Sequence, residues 1–359
     1  MWAMNKKQTY FYKDKPLFGL DIGFNSIKII QIEANRKKKF VVKGYGTILF
    51  DPSAIKDGVI VDIESIAKSI NSLFKNHIIG KIKTRRVAVS IPSNRTYSQL
   101  LTLPKMAKKD LHQAVILEAE QYIPTQLDDL YVDYNVTRES SEGIDLQIVA
   151  VPKKIVDSYL LLMRVLGLEV VALETNIDSS SRLFIRADRS NIPTILIDFG
   201  AVSSDISIYD GGLITTGTVA GGGDNFTQLI ADNLHVSQAE AQIIKTHYGL
   251  SVSKRQAEIV KALKPDLDQL GKEIRRMIRY YEERSTTHGT INQIVTMGGG
   301  ANMPGLSDYL TDHLRLATRM CDPWQTLTFD KLQPPSTSEK ALYITATGLA
   351  MIQPKEAFQ

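Results

Sequence analysis

The chain has 359 residues, 43% of them hydrophobic and 23% charged, with a formal net charge of +4. That is the composition of a soluble globular protein long enough for two or more domains. So small a charge gives no footprint for nucleic acid, and one cysteine, Cys321, excludes an internal disulfide and is expected to be an inert structural thiol. The most apolar stretch, Tyr159 to Leu173, is interrupted by Arg164 and Glu169 and falls short of the roughly 20 apolar residues of a membrane span. Met1 to Pro16 lacks the apolar core of an export signal. A cytoplasmic protein that reaches a membrane only through partners is expected.

Residues 17–91 read as strand, turn, strand, charged turn, strand, helix, strand. The first turn is Leu20-Asp21-Ile22-Gly23-Phe24-Asn25-Ser26-Ile27-Lys28, set between alternating apolar segments as in a tight hairpin. Arg36-Lys37-Lys38-Lys39 tips the next hairpin as a solvated turn. Ile63, Ile66, Ala67, Ile70 and Phe74 fall at helical spacing behind a capping Asp62. Arg86 to Ile91 is a strand stopped by Pro92.

The pattern then changes. A helix is expected from Lys108 to Tyr122, ending near Ile123-Pro124, then strands Tyr131 to Thr137 and Asp145 to Val151 around a Glu139 to Gly143 turn. A helix from Pro152 to Leu166 stops at Gly167, completing a β/α insert. At Pro193 the first half restarts. Ile197-Asp198-Phe199-Gly200-Ala201-Val202-Ser203-Ser204-Asp205 places Asp198 on Asp21, Gly200 on Gly23 and Ser203 on Ser26. Gly221-Gly222-Gly223-Asp224 opens a helix, and the echo of one half in the other argues for a duplicated architecture. Helical, mostly polar material fills Ser237 to Thr287. There Ile274, Met277, Ile278 and Tyr281 form an apolar stripe, and Arg275, Arg276 and Arg279 a solvated face first and an acidic-partner contact second. A buried strand, Ile291 to Met297, runs into Gly298-Gly299-Gly300, and an apolar helix, Ala341 to Ile352, follows near the end.

Several chemistries are excluded. No His-Glu-x-x-His zinc motif, no Gly-x-Ser-x-Gly elbow and no Gly-Lys-Ser/Thr phosphate loop occurs. A nucleotide site would therefore be built from the hairpins. Glycine turns let backbone N–H groups approach an anion, and Ser26 and Ser203 add hydroxyl donors. Asp21 and Asp198 have two readings: carboxylates that hold Mg²⁺ against phosphate oxygens, favoured because they occur as a pair, or turn aspartates capping their own backbone. Lys28 reaches either phosphate or solvent. Gly298 to Gly300 either admits a purine or ribose or is a plain strand-to-helix turn.

These pieces, in this order, resemble the actin-like ATPase superfamily, which includes actin, DnaK-type chaperones, sugar kinases, FtsA and PilM. The closest resemblance is to the PilM family of type IV pilus assembly. It is carried by Phe18-Gly19-Leu20-Asp21-Ile22-Gly23 with Ser26 and Lys28, by Glu118-Ala119-Glu120-Gln121-Tyr122-Ile123-Pro124, by Gly222-Gly223-Asp224-Asn225-Phe226-Thr227, by Met297-Gly298-Gly299-Gly300-Ala301 and by Thr347-Gly348-Leu349-Ala350. The resemblance implies an α/β fold of two duplicated ribonuclease-H-like lobes around a nucleotide cleft, with an inserted 1C subdomain. Its implied divisions are an extension at 1–16, subdomain 1A at 17–91 and 169–192, 1C at 92–168, 2A at 193–236 and 291–336, 2B at 237–290, and a terminal helix returning to 1A at 337–359.

It further implies an ATP and Mg²⁺ site. Asp21 and Asp198 would hold the metal; Gly23, Asn25, Ser26, Lys28, Gly200 and Ser203 would cradle phosphate. Gly222, Gly223 and Asp224 would also contact the cofactor, and Gln242, Lys245, Gly298, Gly299, Gly300 and Ala301 would flank the nucleoside. Glu174 and Asp198 would be the catalytic carboxylates, Glu174 as a water-orienting or Mg²⁺-shell group. Gln242 replaces a glutamate of the family's Ala-Glu-x-x-Lys helix, and Ala201-Val202 replaces the chaperones' Gly-Gly, so ATP binding with slow hydrolysis at best is expected. The implied partners are the cytoplasmic tail of a PilN-like bitopic membrane protein, other pilus proteins including motor ATPases, and further copies in a ring or filament. A membrane-tethered FtsA-like filament protein is the alternative, disfavoured by the short segment after the last helix, and a small-molecule kinase lacks an assignable substrate base.

Overall fold

The computed structural model describes residues 15–34, 39–140, 143–187, 192–284 and 289–352. The expected turn at 36–38, the centre of the 139–143 turn, the extension before Lys15 and the segment after Ile352 lie outside these residues.

The first half folds as expected around a hairpin. β1 (Phe18–Ile22) and β2 (Ser26–Ala34) pair antiparallel with Asp21 opposite Lys28. β3 (Phe40–Leu49) extends the sheet, and the two-residue strands β4 (Ile55–Lys56) and β5 (Val59–Ile60) make a small hairpin beside it. Helix α1 (Ile63–Asn76) starts where Asp62 accepts from the Ser65 N–H at 2.9 Å, and buries Ile66, Ala67, Ile70 and Leu73. β6 (Ile78–Gly80) returns against β3, and β7 (Arg86–Ile91) runs parallel to β1.

The insert differs in one strand. β8 (Tyr97–Leu103) precedes helix α2 (Lys108–Tyr122), and with β9 (Leu130–Glu139) and β10 (Ile144–Pro152) forms a three-stranded sheet in the order β8-β10-β9. Its polar start, Arg95 to Gln99, hid β8 from sequence reading. Leu111, Val115 and Ala119, four residues apart on α2, pack on Leu146 and Ile148. Helix α3 (Lys153–Val165) ends with Gly167 at φ +66° and the Leu168 N–H on the Met163 carbonyl at 2.9 Å, a glycine-dependent left-handed cap. β11 (Glu169–Thr175) then joins β7 in parallel, and helix α4 (Asn176–Ala187) leads to the second half.

There β12 (Thr194–Phe199), β13 (Ser203–Tyr209) and β14 (Leu213–Ala220) repeat the opening hairpins. Helices α5 (Gly223–Leu234), α6 (Gln238–His247) and α7 (Gln256–Arg284) follow. A reciprocal Ser237–Glu240 capping box starts α6. β15 (Gln293–Met297) lies parallel to β12, helix α8 (Leu306–Leu314) crosses back to β16 (Ala317–Met320), and β17 (Leu327–Thr328) joins β3. The expected terminal helix is a short 3₁₀ turn, Lys340–Tyr343, leading into α9 (Ile344–Ala350).

The two large sheets share one topology, β3-β2-β1-β7-β11 in the first and β14-β13-β12-β15-β16 in the second. In each, an antiparallel meander feeds parallel strands, and each loop aspartate is the next-to-last residue of the central strand. One core lies under β1 with α1 and α3, and a second under β12 with α5 and α7. A third, containing Ile30, Tyr45, Leu183, Leu196, Val295 and Ile344, joins the two sheets. α4 and α9 are its floor. They approach so closely that a Cβ on Gly348 would lie 1.8 Å from the Ser179 carbonyl oxygen, and α9 lies as tightly under β1, where a Cβ on Gly19 would lie 2.0 Å from the Ala346 carbonyl oxygen.

Candidate functional site

The two hairpin turns bring their aspartates to the ends of neighbouring sheets, above α4. Asp21 does not cap its own turn. Its Oδ1 accepts from Ser90 Oγ of β7 at 2.8 Å, and its Oδ2 accepts from Lys28 Nζ at 3.1 Å. Lys28 therefore points into the site rather than to solvent, and is 8% exposed. Its ammonium also donates to the Ser26 carbonyl at 3.4 Å and lies 2.8 Å from where a Gly23 Cβ would be. A side chain at position 23 would have to displace that ammonium.

In the second hairpin Asp198 Oδ2 accepts from Ser180 Oγ of α4 at 2.8 Å, and that hydroxyl meets Thr345 Oγ1 of the 3₁₀–α9 segment at 3.2 Å. Burial raises the Asp198 pKa to about 6, against the Ser180 hydrogen bond and with a further push from the Asp21 charge. Across the ladder stands Asp205, buried, accepting from Thr218 Oγ1 at 2.6 Å, its pKa raised by burial and then by Asp198 to about 7. Gly298, at φ +78°, lies against Asp198 and Phe199, where a Cβ would come within 2.3 Å of the Asp198 carboxylate, and Gly300 packs on Phe199. The glycine run is thus built into the second loop, followed by a 3₁₀ turn over Gly299–Asn302 that buries Ala301.

Gly222 is clamped on the same loop. The Gly223 N–H donates to the Gly200 carbonyl at 2.9 Å and the Asp224 N–H to that of Ala201 at 2.8 Å. Lys245 turns inward, donating to the Gly223 carbonyl at 2.6 Å and Thr227 Oγ1 at 2.7 Å, and burial lowers its pKa. Gln242 accepts from the Thr227 hydroxyl at 2.9 Å. These two side chains brace α5 against α6. Asn25 holds the first turn through its carbonyl, which accepts from the Phe50 N–H at 3.0 Å. Ser203 receives Asn94 Nδ2 at 3.4 Å, a contact from the segment before β8 to the second loop.

Glu174 lies across the β11–β7 ladder from Ser90 and has partners of its own. Arg182 donates to both its oxygens, at 2.6 and 2.5 Å, with Ser179 Oγ at 3.3 Å, and also reaches the Gly348 carbonyl at 3.3 Å. Its carboxylate is bound into the α4–α9 floor. The sequence reading missed Ser90, Ser180, Arg182 and Asp205; only Asp205 had a signal, lying seven residues after Asp198 as Lys28 lies after Asp21.

The donor set suits a polyphosphate: the buried ammonium of Lys28 inside the first turn, two loop serines and glycine turns. It suits a resident Mg²⁺ poorly. Both Asp21 oxygens are engaged, one of them by a cation, Asp198 is held by Ser180, and Glu174 is neutralised by Arg182. Among the described residues no group of three or more His, Cys, Asp or Glu could hold a metal ion.

A second feature lies on the insert. An open groove with a cavity volume of about 240 Å³ is lined by Thr96, Tyr97, Ser98 and Leu101 of the β8 side and by Ala119, Tyr122 and Ile123 of α2. Tyr122 and the nearby Leu117 are exposed apolar side chains on that helix.

The family model described as type IV pilus assembly protein PilM matches residues 19–353. The chain belongs to the PilM family. Its fold matches the structure of a PilM–PilN type IV pilus biogenesis complex with a TM-score of 0.81 at 22% identity, over 94% of this chain and 98% of that one. MreB5 of Spiroplasma citri bound to ADP matches with a TM-score of 0.53 at 13% identity, over 96% and 98% of the two chains. The cell division protein FtsA of Bacillus subtilis (strain 168) is 24% identical over 272 residues, which are 68% of this chain and 59% of that protein's length. The fold is thus the actin-like one expected from the paired loops. Among the described residues no helix is long and apolar enough to cross a membrane.

Proposed function

We propose that this PilM-family protein is an ATP-binding scaffold of the type IV pilus assembly complex that holds the cytoplasmic tail of a PilN-like membrane protein in the α2–β8 groove. The observation that carries the reading is that Ala119, Tyr122 and Ile123 of the family-specific Glu-Ala-Glu-Gln-Tyr-Ile-Pro run form a wall of that groove. An open trough of mixed polar and apolar lining beside a strand suits an extended peptide, with Tyr97 and Tyr122 as aromatic anchors. In this reading residues 92–168 are subdomain 1C. Residues 17–91 and 169–192 are 1A, 193–236 and 291–336 are 2A, 237–290 are 2B, and of the terminal segment 337–359 the described residues, up to Ile352, return to 1A.

Nucleotide enters between the hairpins and sets the angle between lobes, through contacts that differ between open and closed states. Turnover is slow, because Glu174 is committed to Arg182 and cannot orient water without giving up that pair. The protein is cytoplasmic and meets the inner membrane through its partner; motor ATPases and further copies of the chain complete the assembly. The test is fluorescence anisotropy with a labelled PilN-like tail peptide. Tyr122→Ala is expected to weaken binding about tenfold with an unchanged melting temperature. Equal affinity of wild type and variant would place the tail elsewhere.

A further inference from the structure

Within the nucleotide reading, on which this inference rests, we propose that Lys28 is itself the cation of the phosphate site, so that the cleft binds a nucleoside polyphosphate without a divalent metal ion. The ammonium is not a surface charge that happens to lie nearby. It is fixed over Gly23, inside the turn, by Asp21 Oδ2 and the Ser26 carbonyl. Asp21 is in turn fixed by Ser90, a residue of a different strand. The pair is buried, with side-chain exposures of 10% and 8%, so the positive charge is preorganised where a phosphate oxygen would enter. An ammonium carries three donors. A phosphate oxygen can take one of them without breaking the Asp21 pair. A divalent ion ligated by Asp21 would have to sit beside this fixed like charge or expel it, at the cost of leaving a buried ammonium without its counter-ion.

The second lobe shows why this charge matters. Its hairpin repeats the first, but the position equivalent to Lys28 is Asp205, directly across from Asp198. Of the two cross-strand partners to the loop aspartates, one is a cation and the other an acid. Of the two hairpins it is thus the first that sets a cation beside its loop aspartate; Lys245, the buried lysine of the second half, is engaged by the Gly223 carbonyl and Thr227 Oγ1.

The experiment is calorimetric titration of the full-length protein with ADP and with ATP, in excess EDTA and in excess MgCl₂. It is repeated for Lys28→Met and for the double variant Asp21→Asn/Lys28→Met, which removes both members of the buried pair and so guards against a folding defect in the single variant. Circular dichroism melting accompanies each. The expected result is an affinity in EDTA within about threefold of that in Mg²⁺, and a loss of tenfold or more in both variants under both conditions. Binding only in Mg²⁺ would overturn the inference and leave the nucleotide reading standing. Binding in EDTA that survives in the folded double variant would also overturn it, because the cation would be another group. Absence of binding in either buffer would overturn both readings.

Discussion

Replacing Asp205 by asparagine should stabilise the protein, and increasingly so as pH rises. Asp205 is 7% exposed, stands opposite Asp198 and has one side-chain donor, Thr218 Oγ1. Burial first, and the Asp198 charge second, raise its pKa to about 7, against about 3.9 in the unfolded chain. The folded state therefore holds the proton more tightly. Its stability is full at low pH and declines as pH rises from about 4 through about 7, because the unfolded chain ionises first. A difference of about 3 units at about 1.4 kcal/mol each gives about 4 kcal/mol lost between pH 4 and pH 8. Asparagine still accepts from Thr218 and carries no charge, so that loss should vanish from its profile. Urea unfolding followed by circular dichroism, at intervals from pH 4 to pH 8, measures both proteins. The gap between them should be small at pH 4 and widen to several kcal/mol at pH 8. Parallel profiles would show that Asp205 is ionised or hydrated in the folded protein, and the argument from burial would fail.

Arg182→Ala should destabilise the chain by about 3 kcal/mol, since it strands the mostly buried Glu174 carboxylate; Glu174→Gln in the same chain should recover part of that loss in urea titrations. Gly348→Ala should lower the melting temperature sharply, because its Cβ would enter the Ser179 backbone, whereas Gly212→Ala, with nothing within 4 Å, should leave melting unchanged. Cys321 is buried and should react with a thiol reagent only after denaturant is added, as followed by absorbance.

What the sequence made legible is what the chain does locally. Both Asp-x-Gly turns, the Asp62 cap, the α3 stop at Gly167 and the glycine run after β15 are decided within a few residues, by turn geometry, capping and alternation. Pairings across the fold were not legible. Turn-capping is the second reading of Asp21 after metal holding, and only the parallel packing of β7 beside β1 brings Ser90 to it. Nothing local to Ser179-Ser180-Ser181 announces burial, yet all three residues are at most 1% exposed. Their burial follows from a remote residue. Gly348 lets α9 lie directly on the backbone of α4, so small hydroxyl side chains fit where larger ones would clash, and two of those hydroxyls find Glu174, Asp198 and Thr345. The same contact explains how a change at one loop can reach the other lobe. Asp198 holds Ser180 and Glu174 holds Arg182, both on α4, while Thr345 and the Gly348 carbonyl tie α4 to the segment that packs under β1. In the nucleotide reading proposed above, a shift of the second hairpin would bear through these contacts on the floor beneath the first hairpin, which makes α4 and α9 the candidate link between the lobes.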